Sequence, residues 1–514
     1  MTADAWFRDD VAHEREGDGG DGGLATRSVR SGATAVGARA AQLVVQLGAM
    51  MLLARILTPA DFGVQAMVLP LAYLLNGITN QALQSAVMQQ DALEPADASG
   101  LFYAALPINA SLTSAMALLG LLLAWLYDEP RVVLVAVAWA GVIFMVTLSS
   151  IHEALLKRRL RFVTLARAQL VTHASSFAVA IIAALAGAGY WALMLQVALM
   201  ELGRAASMWV LVPWRPVAAR HGERTKAARE YWLGLMGARA ISWIGDQSDR
   251  VMVGVSGGAS IAGLYDSAKR WAWFSFFELF IPLTDVAVAT LSRVRQDTER
   301  FRAYVRQAFM SVLAVTLPVA GFMFAEARLV LHVILGPQWL GGAVFVRWLC
   351  VAIVGATLIR LMQWVYLSTG RTMRQLRWSL VTTPVIVLAV CVGGLRYGAV
   401  GVAAGLTVAA VTLAVPSVWN AIRDTPLTLR DCLGVVTRPL TAAAFGAVVL
   451  LLIGPRLPSP NPVLALGVRL PVFGMAYLAG WLVLPGGRRM LAEQLARLRE
   501  VVATWQTALG RLKN

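Results

Sequence analysis

Residues 236–254 read MGARAISWIGDQSDRVMVG. The run sits where a membrane-crossing helix belongs, yet it carries Arg239, Asp246, Asp249 and Arg250. Charge at that depth is costly and faces a protein interior or a watery cavity, which makes each such residue a functional candidate. The stretch also has an echo, because Gly237-Ala238-Arg239-Ala240 repeats Gly37-Ala38-Arg39-Ala40 at an offset of 200 residues. Arg39, Gln42 and Gln46 stand at i, i+3 and i+7, and Arg239, Ser242 and Asp246 stand at the same intervals. Each set is one stripe on one helix face. The chain therefore reads as two blocks that open on matching polar helices.

Composition agrees with a bilayer. The 514 residues are 58% hydrophobic and 14% charged, with mean hydropathy +0.65, whereas soluble domains are about a quarter charged. So little polar surface excludes a soluble globule and leaves an integral membrane protein. The net charge of +16 needs no nucleic-acid partner, since membrane proteins collect Lys and Arg in cytoplasmic loops. Cys350, Cys391 and Cys432 lie far apart, with neither a disulfide framework nor metal-ligand spacing. Residues 1–30 are polar and lack an apolar h-region, so they read as a disordered cytoplasmic tail and not as a signal peptide.

Apolar runs of about 20 residues cross a ~30 Å hydrocarbon core as helix. They lie at about 34–55, 62–83, 101–126, 131–152, 165–187, 190–212, 231–255, 264–291, 304–326, 343–367, 375–395, 398–419, 436–454 and 462–484. The fold class is thus all-α, a polytopic membrane protein of about 14 transmembrane helices. Basic residues fill the even-numbered connections from the fourth onward: Lys157 to Arg161, Arg215 to Arg229, Arg293 to Arg302, Arg371 to Arg377, and Arg423 with Arg430. The odd ones offer only Arg55, Arg131, Arg328, Arg396 and Arg456. The positive-inside rule then puts the even loops and both termini in the cytoplasm.

The 200-residue offset joins the first helix to the seventh and defines two six-helix lobes of shared orientation, plus two extra helices. A substrate path is expected where such repeats meet. The plan is a tail at 1–30, an N-lobe at 31–220, a C-lobe at 221–425, the last two helices at 426–485, and a cytoplasmic segment at 486–514. In that segment Leu491, Leu495, Leu498, Val502, Trp505, Leu509 and Leu512 alternate steps of four and three among basic residues. It reads as an amphipathic helix on the inner leaflet, with a short coiled coil as the competing reading.

No Walker loop, His-Glu-x-x-His or Cys-x-x-Cys occurs, so neither an enzyme nor a cofactor is expected, and no metal. The signal is the intramembrane polar set: Asn76, Asn80 and Gln84; Gln169, His173 and Ser176; Arg270, Glu278 and Asp285; Arg360 and Gln363. Such groups turn inward and outline a polar cavity. Its cations are Arg39, Arg239 and Arg360, whose planar forks suit phosphate oxygens, so an anionic phosphate or diphosphate is expected. The expected binding set is Arg39, Gln42, Gln46, Arg239, Ser242, Asn76, Asn80 and Arg360. Asp246, Glu278 and Asp285 are candidates for a coupling proton or sodium ion. A second reading makes Arg239 with Asp246, or Asp249 with Arg250, neutralising structural pairs. The structural reading is favoured for Asp249 and Arg250, and the cavity reading for Arg39 and Arg239, since Arg39 has no acid on its own stripe. The aromatic run Trp271, Trp273, Phe274, Phe276 and Phe277 reads as lipid-facing or packing surface.

Several short pieces run in one order along residues 34 to 420: Ala54-Arg55-Ile56-Leu57-Thr58-Pro59-Ala60-Asp61-Phe62-Gly63, Leu160-Arg161-Phe162, Gly189-Tyr190-Trp191-Ala192-Leu193, Trp214-Arg215-Pro216, Asp249 through Gly254, Gly263-Leu264-Tyr265, and Gly336-Pro337-Gln338-Trp339. With them the chain resembles the polysaccharide-transporter branch of the multidrug/oligosaccharidyl-lipid/polysaccharide (MOP) exporters, the Wzx-type O-antigen and exopolysaccharide flippases. The resemblance implies a MATE-like pair of lobes around a central cavity and alternating access. It also implies movement of an undecaprenyl-diphosphate-linked oligosaccharide across the bacterial inner membrane for O-antigen, capsule or exopolysaccharide synthesis. Partners would be the lipid-linked oligosaccharide, the bilayer, a polysaccharide polymerase and glycosyltransferases. Related flippases use cationic cavity residues, a role that would fall to Arg39 and Arg239. The chain departs from the family in its longer N-terminal tail and in a second-to-third loop without the common basic residue. A flippase for lipid II or another lipid-linked precursor, a cation-coupled drug exporter on the same fold, and a non-transporting scaffold of a glycan-synthesis complex are the alternatives.

Overall fold

The computed structural model describes residues 37, 41–77, 80, 82–88, 93–159, 161–217, 223–457 and 461–483. Within them the side chains of residues 162, 223–242, 275, 277–279, 281–282 and 285–286 lie outside the description. The tail at 1–30 and the amphipathic segment at 486–514 fall outside it altogether. No strand occurs among the described residues. The helices are α1 (Ala41–Ile56), α2 (Pro59–Asn76), α3 (Ala82–Met88), α4 (Pro95–Tyr127), α5 (Arg131–Arg158), α6 (Phe162–Leu185), α7 (Tyr190–Leu211), α8 (Glu223–Val294), α9 (Thr298–Ala325), α10 (Ala327–Ile334), α11 (Ala343–Ser368), α12 (Thr372–Ile422), α13 (Leu429–Ile453) and α14 (Pro462–Val483).

Eight helices among the described residues are long and apolar enough to cross a membrane. Large apolar side chains stand exposed along them, with Leu118 at 68% and Trp125 at 78%. In water such a surface would associate; against lipid it is satisfied. The chain is a multi-pass membrane protein of all-α class. Straight, the 51 residues of α12 would span about 76 Å at 1.5 Å per residue, far beyond a ~30 Å core. Instead α12 breaks at Tyr397 and Gly398, and the 72-residue α8 breaks at Gly258. Gly258 has φ 69° and Gly398 has φ 60°, a region glycine enters without steric cost. The arms of α12 then fold back in close contact: a Cβ on Gly405 would lie 2.2 Å from the Ala389 carbonyl oxygen. Small residues permit that approach.

Two compact units divide at Trp243/Ile244, inside α8. In the first unit α5 packs against α2, α3, α4 and α7. The core there includes Leu101, Phe102, Ile151, Leu155, Met208 and Trp214. Helix α2 starts on a capping box in which Asp61 Oδ2 accepts from the Thr58 amide at 2.9 Å and the Thr58 hydroxyl at 2.6 Å. The carboxylate satisfies amide and hydroxyl donors and sits at the positive end of the helix dipole. Glu94 and Asp97 build the same box on α4, which accounts for the acidic second-to-third connection. Gly189, with φ 55°, leaves room for the same Asp61, whose Oδ1 would lie 3.1 Å from an added Cβ. Arg215 donates to the carbonyls of Trp209, Val212 and Trp214 at 2.8–2.9 Å and closes the end of α7. Several pieces that carry the family resemblance are thus fold-forming caps.

In the second unit α9 packs against α11 and α13, and α13 against α14, so the last two helices share the core of this unit. Phe280 stacks on Trp364 at 5.2 Å between ring centroids and on Phe276 at 5.0 Å. The aromatic run is packing surface at buried Trp271 and Phe276. Helix α10 and the 3₁₀ turn Pro337–Gly342 were not expected from hydropathy. The turn overlaps the Gly336-Pro337-Gln338-Trp339 piece, where Gly336 takes φ 110° and Trp339 is buried.

Candidate ion network of the α8 hairpin

Because Gly258 turns α8 back on itself, residues equally far from it along the chain meet across the hairpin. Asp249 is buried and its Oδ2 accepts from Tyr265 Oη at 2.5 Å and Lys269 Nζ at 2.6 Å. Arg250 Nε donates to Asp266 Oδ1 at 2.7 Å and its NH1 to Gln247. Arg270 reaches the other Asp266 oxygen at 2.9 Å. The two buried carboxylates are therefore met by three cations, as buried charges require. The sequence pairing of Asp249 with Arg250 is corrected here: each is neutralised across the hairpin, since adjacent helical residues point about 100° apart.

The network has an open end. Asp246 accepts from Arg360 of α11 on both oxygens at 3.0 Å, and its side chain is 51% exposed against 34% for Arg360. Lys269 Nζ also reaches the Asp246 carbonyl at 3.4 Å. A sequence-expected substrate cation and a sequence-expected coupling carboxylate are thus one pair. Its carboxylate is half-exposed, whereas Asp249 and Asp266 behind it are buried.

In the first unit Gln42 and His173 come together, with Gln42 Nε2 to His173 Nε2 at 3.1 Å. His173 Nδ1 lies 2.7 Å from the Gln169 carbonyl, so Nδ1 carries the proton, and in the neutral ring Nε2 accepts from Gln42. Asn80 is buried, donating to Asn76 Oδ1 at 2.9 Å and accepting from Ser150 Oγ at 2.7 Å. Asn76 and Asn80 are therefore bonded into the α5 interface. Gln46 is exposed. Arg39, and the side chains of Arg239, Ser242, Glu278 and Asp285, lie outside the described residues.

Sequence reasoning missed a second polar chain. Lys157 bridges Gln84 and Glu153 at 2.8 Å each, Glu153 meets Arg204 at 3.1 Å, and Arg204 meets Glu201 at 2.6 Å. The signal was available as Glu153/Lys157 at i,i+4 and Glu201/Arg204 at i,i+3. No group of His, Cys, Asp or Glu that could hold a metal ion occurs among the described residues. Chemically, the Asp246–Arg360 pair presents a guanidinium fork whose carboxylate partner is itself half-exposed.

Residues 52–344 match the family described as polysaccharide biosynthesis protein. Asn76, Asn80, Asp246 and the whole α8 hairpin fall inside that span, whereas Arg39, Gln42, Gln46 and Arg360 fall outside it. The chain is 25% identical over 288 residues to the succinoglycan biosynthesis transport protein ExoT of Rhizobium meliloti (strain 1021), covering 56% of this chain and 58% of that relative. The chain thus matches little more than half the length of its curated relative. Among solved structures it is similar to the lipid II flippase MurJ in an inward closed conformation, with TM-score 0.67 and 14% identity over 87% of this chain and 97% of that one. It is also similar to an inward-facing multidrug resistance MATE family transporter of the MOP superfamily, with TM-score 0.61 and 14% identity over 74% and 94%. The fold is that of the MOP superfamily, as the resemblance implied.

Proposed function

Since the chain belongs to the polysaccharide biosynthesis protein family, we propose that it flips an undecaprenyl-diphosphate-linked oligosaccharide across the bacterial inner membrane by alternating access. The observation that carries this reading is the Asp246–Arg360 pair, in which the carboxylate is half-exposed while the other carboxylates of the network, Asp249 and Asp266, are buried. Arg360 offers a planar fork suited to phosphate oxygens. In the substrate-free state Asp246 occupies it; a diphosphate displaces the carboxylate. The freed Asp246 then takes up the coupling proton or sodium ion, which ties ion binding to headgroup binding. Displacement drives the conformational change only through a difference in affinity between the two states. Arg39 and Arg239 are the further cations of the site, with Gln42, Gln46, Asn76, Asn80 and Ser242 as polar contacts and Glu278 and Asp285 as further ion carriers. Both termini lie in the cytoplasm, and a polymerase and glycosyltransferases are the partners.

The test is deletion of the gene, followed by complementation and measurement of surface polysaccharide and of lipid-linked oligosaccharide in each leaflet. Deletion leaves the oligosaccharide in the inner leaflet. Arg360→Gln, and Arg39→Ala with Arg239→Ala, fail to restore surface polysaccharide at normal protein level. Full surface polysaccharide from the triple variant would sink the proposal. Lysis with loss of peptidoglycan in the deletion strain would assign the lipid II alternative instead.

A further inference from the structure

The second unit holds a slot of about 200 Å³ between the second arm of α8, α9 and α11. Its walls are Leu283, Ala287 and Leu291 of α8, Tyr304 and Ala308 of α9, and Trp364 of α11. The space exists because two alanines face it from neighbouring helices, where a larger residue would fill it. Two of the polar groups about it are already bonded: Trp364 Nε1 donates to Thr284 Oγ1 at 3.0 Å, and Ser311 Oγ donates to the Gln307 carbonyl at 3.0 Å. Thr290 and Gln307 complete a lining whose accessible surface is mostly apolar. Leu291 and Trp364 are fully buried at its floor, whereas Leu283 and Tyr304 are exposed at its mouth. The slot therefore offers carbon to an occupant that arrives from lipid.

The end of the same helix carries unbalanced charge. Arg293 and Arg295 are exposed and make no ion pair with a described residue. Arg300 and Arg302, by contrast, are met by Asp297 and by Asp431. From Leu291 to Arg295 the helical rise is about 6 Å, so an apolar chain in the slot would bring its anionic end beside two free guanidinium groups. A long chain with phosphate at one end has that pattern.

We infer that this slot binds the phosphate-proximal isoprene units of the polyprenyl carrier, with Arg293 and Arg295 at its phosphate; the inference rests on the flippase reading and adds a tail site to it. At roughly 30 Å³ per heavy atom, the share a water takes in the liquid, the slot holds about six or seven carbons. That is one isoprene unit and part of a second, and the remainder of the tail stays in the bilayer. The methyl branches of the carrier suit the width that Ala287 and Ala308 leave open. The slot holds the carrier at entry, before its headgroup leaves Arg293 and Arg295 for Arg360.

The test uses purified full-length protein in detergent, with undecaprenyl phosphate and phosphatidylglycerol at equal concentration, and reads retained lipid by native mass spectrometry. Wild type retains undecaprenyl phosphate in preference. Ala287→Leu and Ala308→Leu, which fill the slot, each lower that retention at least tenfold. Arg293→Gln with Arg295→Gln weakens undecaprenyl phosphate and leaves uncharged undecaprenol unaffected. A photoreactive polyprenyl phosphate on the wild-type protein needs no variant, and its cross-links map to peptides within residues 283–311. Unchanged retention in the filled-slot variants, equal retention of phosphatidylglycerol, or cross-links only elsewhere overturns the inference. Arg360→Gln abolishes the proposed transport and leaves the cross-links within residues 283–311, so failure of the slot and failure of the flippase reading are told apart.

Discussion

Replacing Lys269 by Met keeps an unbranched side chain of similar length and removes the one ammonium that touches Asp249. Asp249 is 1% exposed, its Oδ1 has no hydrogen-bond partner, and Tyr265 at 2.5 Å becomes its remaining donor. Removing one member of a buried ion pair costs about 3–5 kcal/mol, because an uncompensated charge stays behind. Half-exposed pairs such as Asp246–Arg360, at 51% and 34%, are worth about 0–1 kcal/mol. The two substitutions therefore separate by about 2 kcal/mol or more, roughly a thirtyfold change in the folded-to-unfolded ratio. Denaturant unfolding of the purified full-length protein in detergent measures both. Lys269→Met should be strongly destabilised, and Asp249→Asn in that background should recover most of the loss, since no buried charge is then left over. Asp246→Asn should unfold within about 1 kcal/mol of wild type while losing transport. A Lys269→Met variant within about 1 kcal/mol of wild type, or one that Asp249→Asn does not rescue, would refute the idea that the hairpin is held by a buried ion pair.

Three further outcomes follow from other parts of the molecule. A Cβ at Gly355 would lie 2.2 Å from the Ala410 carbonyl oxygen, so Gly355→Leu must push α11 from α12 and should cost about 1–3 kcal/mol or more, read as lower yield and unfolding midpoint. Glu129 accepts from Arg131 at 2.8 Å on each oxygen, and that bond holds its carboxyl below the ordinary value of 4.5. A depressed folded value adds stability that is present above the ordinary value and lost as pH falls through the folded one. Glu129→Gln should therefore be less stable than wild type at neutral pH, and the gap should close in acid; a gap that persists in acid counts against the pairing. Reporter fusions in the basic loops near Arg220 and Arg371 should read cytoplasmic, and an active periplasmic reporter at either would reverse the proposed orientation.

Much of the fold is legible in the chain because the bilayer imposes a local rule, in which an apolar run of sufficient length becomes helix. The turns at Gly258 and Gly398 fall where the hydropathy reading places the seventh-to-eighth and eleventh-to-twelfth connections. Helix α10 was hidden because eight residues are too short for a span-length window. The partners of Asp249 and Arg250 were hidden for another reason: cross-hairpin pairing depends on which single residue forms the turn, and hydropathy does not fix that. Lys157 reads as part of a basic loop, although its i−4 neighbour Glu153 places it on a helix face. Asp246 and Arg360 were each singled out by the intramembrane-charge argument, but their pairing, 114 residues apart, required the fold. Gln42 and His173 likewise needed α1 and α6 brought together.

The one-residue turn at Gly258 also sets where this protein can change length. Inserting or deleting a single residue between Asp249 and Tyr265 rotates one arm by about 100° against the other. It also shifts both cross-arm pairs, Asp249–Lys269 and Arg250–Asp266, out of register at once, so no single second-site substitution restores the set. Alterations of length should therefore be absent from functional variants across this hairpin, whichever side chains are tolerated there.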